Sequence, residues 1–252
     1  ILSKVLKLTI LTISIGLWGT IFGIIISFPL SFISAKNITK NLIVYNIARF
    51  IINFLRSIPD VFYALLFVIS LGMGPISGIL ALAISTVGLL SKFYSEAIES
   101  IDMKPVEAVS ATGTHSLNVI RHSVIPQVFP LFMGYNLYLL DHNIRVAIVL
   151  GIVGAGGLGI ELFNNMRSFN YQKVATILIV IFLLITLIDR VSAQLRKDIL
   201  EGNIFRKHNR IRDLSMLSIF TIFFILSFFF IPINFQEFII GISKLWGIVK
   251  EF

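Results

Sequence analysis

Residues 105–126 read PVEAVSATGTHSLNVIRHSVIP, a polar stretch between two greasy ones. Pro105 suits the first turn of a helix, where a missing N–H costs little. Val106 to Thr112 are compatible with two helical turns, and Gly113 suits the left-handed position that ends a helix. Thr114 or Ser116 then caps a second helix running towards Pro126. The first helix is roughly 12 Å long at 1.5 Å per residue. It places Val106 and Val109 near one face and Glu107 on another. That is a compact knob for a groove on a partner; the plain alternative is a solvated loop between spans. A random loop, however, need not place Glu-Ala, Gly and Pro at offsets 0, 1, 6 and 19.

Outward from this stretch the chain is strongly apolar. Of its 252 residues 56% are hydrophobic and 13% charged, and the mean hydropathy is +0.93. A soluble domain carries about 25% charged residues. With no Cys, disulfides, thiol nucleophiles and Cys-based zinc sites are excluded. A transmembrane helix needs about 20 mainly apolar residues. Six segments qualify or come close: 8–33, 46–70, 76–91, 126–153, 174–190 and 214–233. Helices satisfy the backbone of such runs in lipid. Gly19 and Gly23, then Gly74 and Gly78, recur at a spacing that lets helices approach closely, which reads as ordinary packing.

The net charge of +8 is a matter of loops rather than of nucleic acid. Lys36 and Lys40 lie in 34–45. Lys92, Lys104 and Arg121 lie in 92–125. Arg190, Arg196, Lys197, Arg206, Lys207, Arg210 and Arg212 lie in 190–213. If the spans alternate, these loops share one side, and the positive-inside rule places the 92–125 loop in the cytoplasm of a multi-pass cell-membrane protein. Lys4 and Lys7 run against this trend.

The quoted stretch resembles the EAA loop of ABC-importer permeases: Glu-Ala-Ala, a Gly six residues after the Glu, and a Leu-Pro ending. Here it reads Glu107-Ala108-Val109, Gly113 and Ile125-Pro126; Val109 replaces the third Ala and Ser123 the usual Ile. RFIINFLRSIPD at 49–60, SEAIESID at 95–102, ATG at 111–113, VIPQVFP at 124–130 and NIRVAIVLGIVGAGGLGIEL at 143–162 look like phosphonate-transport (PhnE-type) permeases. Methionine and glycine-betaine permeases share the loop and similar glycine-rich ends. The resemblance covers roughly residues 8–200. It implies an all-α polytopic membrane bundle of the type I, MetI-like kind, with about five core spans in 1–200 plus one additional C-terminal span. The implied function is that of a permease subunit of an ATP-driven importer for phosphonate or a related phosphorus oxyanion. Glu107, Ala108, Val109, Gly113 and Pro126 would couple to a separate dimeric ATPase that holds the ATP and magnesium. An extracytoplasmic binding protein and a second permease core complete the implied assembly, and this chain itself binds no cofactor.

Charges within the spans carry the remaining chemistry. Arg56 and Asp60 lie four apart in the second span, and Asp141 and Arg145 four apart in the fourth. Each costs about 2.5–3.5 kcal/mol near a helix centre. Two readings stand: intrahelical ion pairs that lock the bundle, or an Arg lining a path for an anion, whose oxygens a guanidinium fork matches. Arg49, near a span end, reads as a snorkelling side chain. The rival class is an ion-coupled secondary transporter using Asp60, Asp141 and His142. Gly154, Gly156 and Gly159 satisfy a dinucleotide-type spacing, but a transmembrane span precedes them, so with Gly157 they read as an extracytoplasmic turn or gate element. No Walker A pattern occurs, and His115 and His122 read as surface residues.

Residues 201–252 read as a basic linker, the sixth apolar span, and an interfacial amphipathic helix with Phe238, Ile242, Leu245 and Val249 at helical spacing, anchored by Trp246. Two expectations stand side by side: a single core with one accessory span, or an excerpt of a tandem pair of cores in which 201–252 begin the second copy.

Overall fold

Pro59 divides what reads in the sequence as one apolar run. The residue before a proline is pushed out of the helical region, and Ile58 is extended at φ −96°, ψ 122°. In the computed structural model, which describes residues 2–200, the second expected span is therefore two helices, α2 (Leu42–Ser57) and α3 (Asp60–Leu71), bent by 85°. Asp60 sits in the first turn of α3, where a carboxylate complements the helix dipole. This corrects one expectation: Arg56 and Asp60 belong to different helices and form no intrahelical pair.

The other elements are α1 (Leu2–Ile33), α4 (Pro75–Glu99), α5 (Met103–Ala111), α6 (Ser116–Val119), α7 (Ile125–Leu150), α8 (Gly157–Arg167) and α9 (Tyr171–Leu200). Wide π-type turns, Ile120–Val124 and Gly151–Ala155, flank α7. Among the described residues there is no strand. Four helices among the described residues are long and apolar enough to cross a membrane, and the bent pair counted as one span makes five. Helix α4 runs to Glu99, eight residues past the expected end of its span, so the polar loop begins later than residue 92. Helix α8 falls where the sequence reading had only a turn. The sixth apolar segment, the basic linker and the amphipathic stretch around Trp246 lie outside the described residues.

Packing follows from small residues and buried polar groups, since lipid gives helices no hydrophobic reason to associate. Helix α1 lies against α4, and an added Cβ at Gly19 or Gly23 would overlap Leu82 or Thr86. Gly78 packs likewise on Ala155, whereas Gly74 faces open space and precedes the Pro75 that starts α4. Asn143 of α7, fully buried, donates from Nδ2 to Thr20 Oγ1 of α1 and Thr86 Oγ1 of α4, each at 2.8 Å. One amide thereby ties three helices at their centre. At the α5 end, Tyr94 and Phe132 stack in a cluster with Leu90, Ile98, Val124 and Val128.

Candidate functional site

Helix α5 is built by its caps. Asp102 is the N-cap, its side chain accepting from the Lys104 N–H at 3.0 Å, and Pro105 falls in the first turn. At the other end the Gly113 N–H donates to Ser110 O at 3.1 Å, and Gly113 takes φ +74° with nothing near its Cα that a side chain would strike. The left-handed backbone, not crowding, selects glycine there. The second helix is capped by His115, not by Thr114 or Ser116: its Nδ1 accepts from the Leu117 N–H at 3.3 Å. His122 is also exposed, its Nδ1 within 2.9 Å of Asn118 O.

The helix has two faces. Val106 and Val109 are half-buried, and Val106 packs on the Tyr94 cluster. Glu107, Ala108 and Gly113 are exposed, as is Pro126 at the second position of α7. Gln127 then grips the N-cap residue by its backbone: Asp102 N–H donates to Gln127 Oε1 at 3.1 Å, and Gln127 Nε2 donates to Asp102 O at 3.2 Å. The sequence reading missed Gln127. Its signal was the polar residue that interrupts the apolar start of α7.

Deeper in the bundle the structure keeps one expected pair and redistributes the other. Arg145 is bonded to Asp141, as the i, i+4 spacing predicts, and also to Asp189 of α9 at 2.8 Å. Asp141 is 8% exposed while Arg145 and Asp189 are about half exposed. Asp189 was missed, although a lone acid at the end of an apolar run is itself a signal, because a charge there needs a partner. Asp60 accepts from the Ser85 hydroxyl of α4 and lies 3.9 Å from His142 Nε2 of α7. The set Asp60, Asp141 and His142 is thus split between two clusters. Arg56, in the last turn of α2, is exposed. On α7 and the turn that follows it, Tyr138, His142, Arg145, Val149 and Ile152 form one open stripe at helical spacing.

The glycine-rich turn is packed. Gly154, Gly156 and Gly157 have φ of +105°, +87° and +73°. Gly154 O accepts from the Gly74 N–H at 3.0 Å, and Thr12 Oγ1 accepts from the Leu158 N–H at 2.9 Å. A Cβ on Gly159 would overlap the Ile148 carbonyl oxygen. Just beyond, Glu161 of α8 pairs with Lys4 at 2.7 Å. The Lys4 ammonium holds the Glu161 carboxyl below its ordinary range against the opposing effect of burial, with help from Asn165. This pairing accounts for a lysine at the end of the bundle where the charge trend disfavours one.

Residues 19–201 match the family described as "Binding-protein-dependent transport system inner membrane component". The chain belongs to this family. The phosphite transport system permease protein PtxC of Stutzerimonas stutzeri is 40% identical over 186 residues, covering 74% of this chain and 68% of that one. The phosphate-import permease protein PhnE of Mycolicibacterium smegmatis is 40% identical over 185 residues, which are 73% of this chain and 35% of that relative. Helix arrangement is shared with the inward-facing MetNI methionine ABC transporter, with a TM-score of 0.67 at 20% identity over 77% of this chain and 95% of that one. The expected all-α, MetI-like membrane bundle is therefore the fold, and the family member described here is a transport component of the membrane.

Proposed function

We propose that this family member is the membrane-spanning subunit of an ATP-driven importer for a phosphorus oxyanion, phosphite or a phosphonate. ATP and magnesium are held by a separate ATPase dimer that docks on the exposed side of α5, at Glu107, Ala108 and the Gly113 turn, in the cytoplasm. A binding protein delivers the oxyanion at the opposite end, beside the Gly151–Ala155 turn and α8, and a second permease core completes the path. The observation that carries the docking reading is the two-faced α5: its valine side rests on the bundle while its Glu107 side is free. The substrate class rests on the 40% identity to the phosphite permease component. Alternating access then needs only that closure of the ATPases favours one arrangement of the bundle over the other.

The test is uptake by proteoliposomes holding the complete complex with its ATPase and binding protein. ATP-dependent accumulation of phosphite or methylphosphonate, with no accumulation of methionine, is the expected result. Methionine uptake without either phosphorus compound would overturn the substrate class.

A further inference from the structure

We propose that the segment from Glu99 to Asp102 is a node that transmits motion of α5 to two different spans, α7 through Gln127 and the broken span α2–α3 through Arg49; this rests on α5 being the docking helix. Only Ser100, Ile101 and Asp102 separate α4 from α5, so the two helices share one short joint. On one side of the joint, Gln127 holds both the N–H and the C=O of Asp102. A two-point amide grip fixes orientation as well as distance, so tilting α5 turns the start of α7. The same Nε2 also donates to Ser123 O at 2.7 Å, which ties the grip to the π-type turn that leads into α7. Val124 and Val128, both fully buried, prevent that helix end from yielding locally.

On the other side, Glu99 Oε1 accepts from Arg49 Nη2 at 2.6 Å and from the Lys36 N–H at 2.8 Å. Arg49 Nε donates to Ser34 O at 2.8 Å, and its guanidinium lies 5.3 Å from the centre of the Tyr45 ring. The Arg49 side chain is only 14% exposed, so it is not the snorkelling group that its position suggested. Charge-assisted bonds with fixed geometry are the strong ones. Asn37 Nδ2 adds a bond to Ile98 O at 2.7 Å. From Arg49 the helix continues rigidly for about 12 Å at 1.5 Å per residue to the Ile58–Pro59 bend. Beyond the bend lies Asp60, against Ser85 and His142. A displacement at Glu99 therefore reaches the polar cluster from the α2 side, and one at Asp102 reaches it from the α7 side. Rigid elements joined by specific bonds are the physical means by which such coupling travels.

The experiment uses the full complex in proteoliposomes, with Val149→Cys as a probe on the open stripe of α7. The readout is labelling by a membrane-impermeant maleimide with and without ATP and vanadate, alongside copurification of the ATPase and its basal hydrolysis. Gln127→Leu and Arg49→Ala are expected to keep copurification and hydrolysis while the ATP-dependent change in labelling shrinks roughly 2- to 30-fold, the range found for coupling residues. Arg49→Lys, which keeps the charge and loses the fork, falls between Arg49→Ala and the unaltered protein. An unchanged labelling response in Gln127→Leu and Arg49→Ala overturns the node. Loss of copurification overturns it too, since the residues would then only shape the docking face. Glu107→Lys separates the two ideas: if it leaves copurification and labelling intact, the docking reading itself fails, whereas disruption by Glu107→Lys alone leaves docking standing and removes the node.

Discussion

At the scale of single residues, backbone conformation decides more than side-chain chemistry. Gly113→Pro removes the N–H that bonds to Ser110 O and fixes φ near −65°, opposite in sign to the observed +74°. Uptake by reconstituted complexes should fall well below a tenth of normal while the amount of protein in the membrane is unchanged. Unaltered uptake would show that the shape of this turn is immaterial to coupling. Gly159→Ala fails for a different reason, since its Cβ meets a backbone oxygen that cannot rotate away. A cost of about 1–3 kcal/mol is typical of such overpacking, to be read as a lowered midpoint of thermal unfolding in detergent. Lys4 and Glu161 give a pH-dependent case. The Glu161 carboxyl is held below its ordinary value of 4.5, so its contribution is complete above that pH and is lost as the pH falls through the lowered value. Lys4 is 65% exposed, which limits the pair to about 0.2–1 kcal/mol. Lys4→Ala should melt slightly earlier than the unaltered protein at pH 7, and the gap should close on acidification below 4.5. A gap that widens in acid contradicts the pairing.

At the scale of elements, the amide of Asn143 is the clearest case of one side chain joining helices. Its two bonds reach α1 and α4 from α7. Interhelical bonds in membranes average about 0.6 kcal/mol and reach about 1.7. Asn143→Leu should therefore cost only about 1 kcal/mol on that average, because Thr20 keeps its bond to Gly16 O at 2.7 Å. A loss several times larger in a detergent unfolding series would mean that the threonines have no alternative partner. Much at this scale was legible in advance. The apolar runs became α1, α4, α7 and α9, and Pro105 and Gly113 marked the two ends of α5 within a residue or two. The division at Pro59 was not read, because a run of apolar residues has the same composition whether it is straight or bent. Helix α8 was not read because its start is glycine-rich, a composition typical of turns. Of the charges, the i, i+4 rule found Asp141–Arg145 but was blind to Asp189, Ser85 and His142, which reach their partners across helices.

At the scale of the whole molecule, the distribution of charge says which surface meets lipid. Helix α9 exposes Phe182, Leu183 and Leu187 at 59% or more, an apolar face suited to hydrocarbon. The stripe on α7 differs, since it carries His142 and Arg145, with Asp189 beside them. Arg145→Leu would strand two carboxylates, and a double change with Asp141→Leu would still leave Asp189 without its partner. Removing Arg145 without stranding a carboxylate takes the triple change Asp141→Leu, Arg145→Leu and Asp189→Leu, which should insert and melt close to normal, whereas Arg145→Leu alone should melt earlier because it leaves the buried Asp141 carboxylate without its partner. If the triple variant also keeps full uptake, Arg145 serves only to join α7 to α9. A half-exposed arginine facing lipid carries a large penalty, so the stripe must face water, a second core or both. The absence of native cysteine makes this directly measurable. A single cysteine at His142 should react with a membrane-impermeant maleimide in the complete complex, at a rate that changes with ATP, while one at Phe182 should stay unreactive because hydrocarbon excludes the reagent. Equal protection at both positions would show that the stripe meets no water, and would take the oxyanion path away from α7.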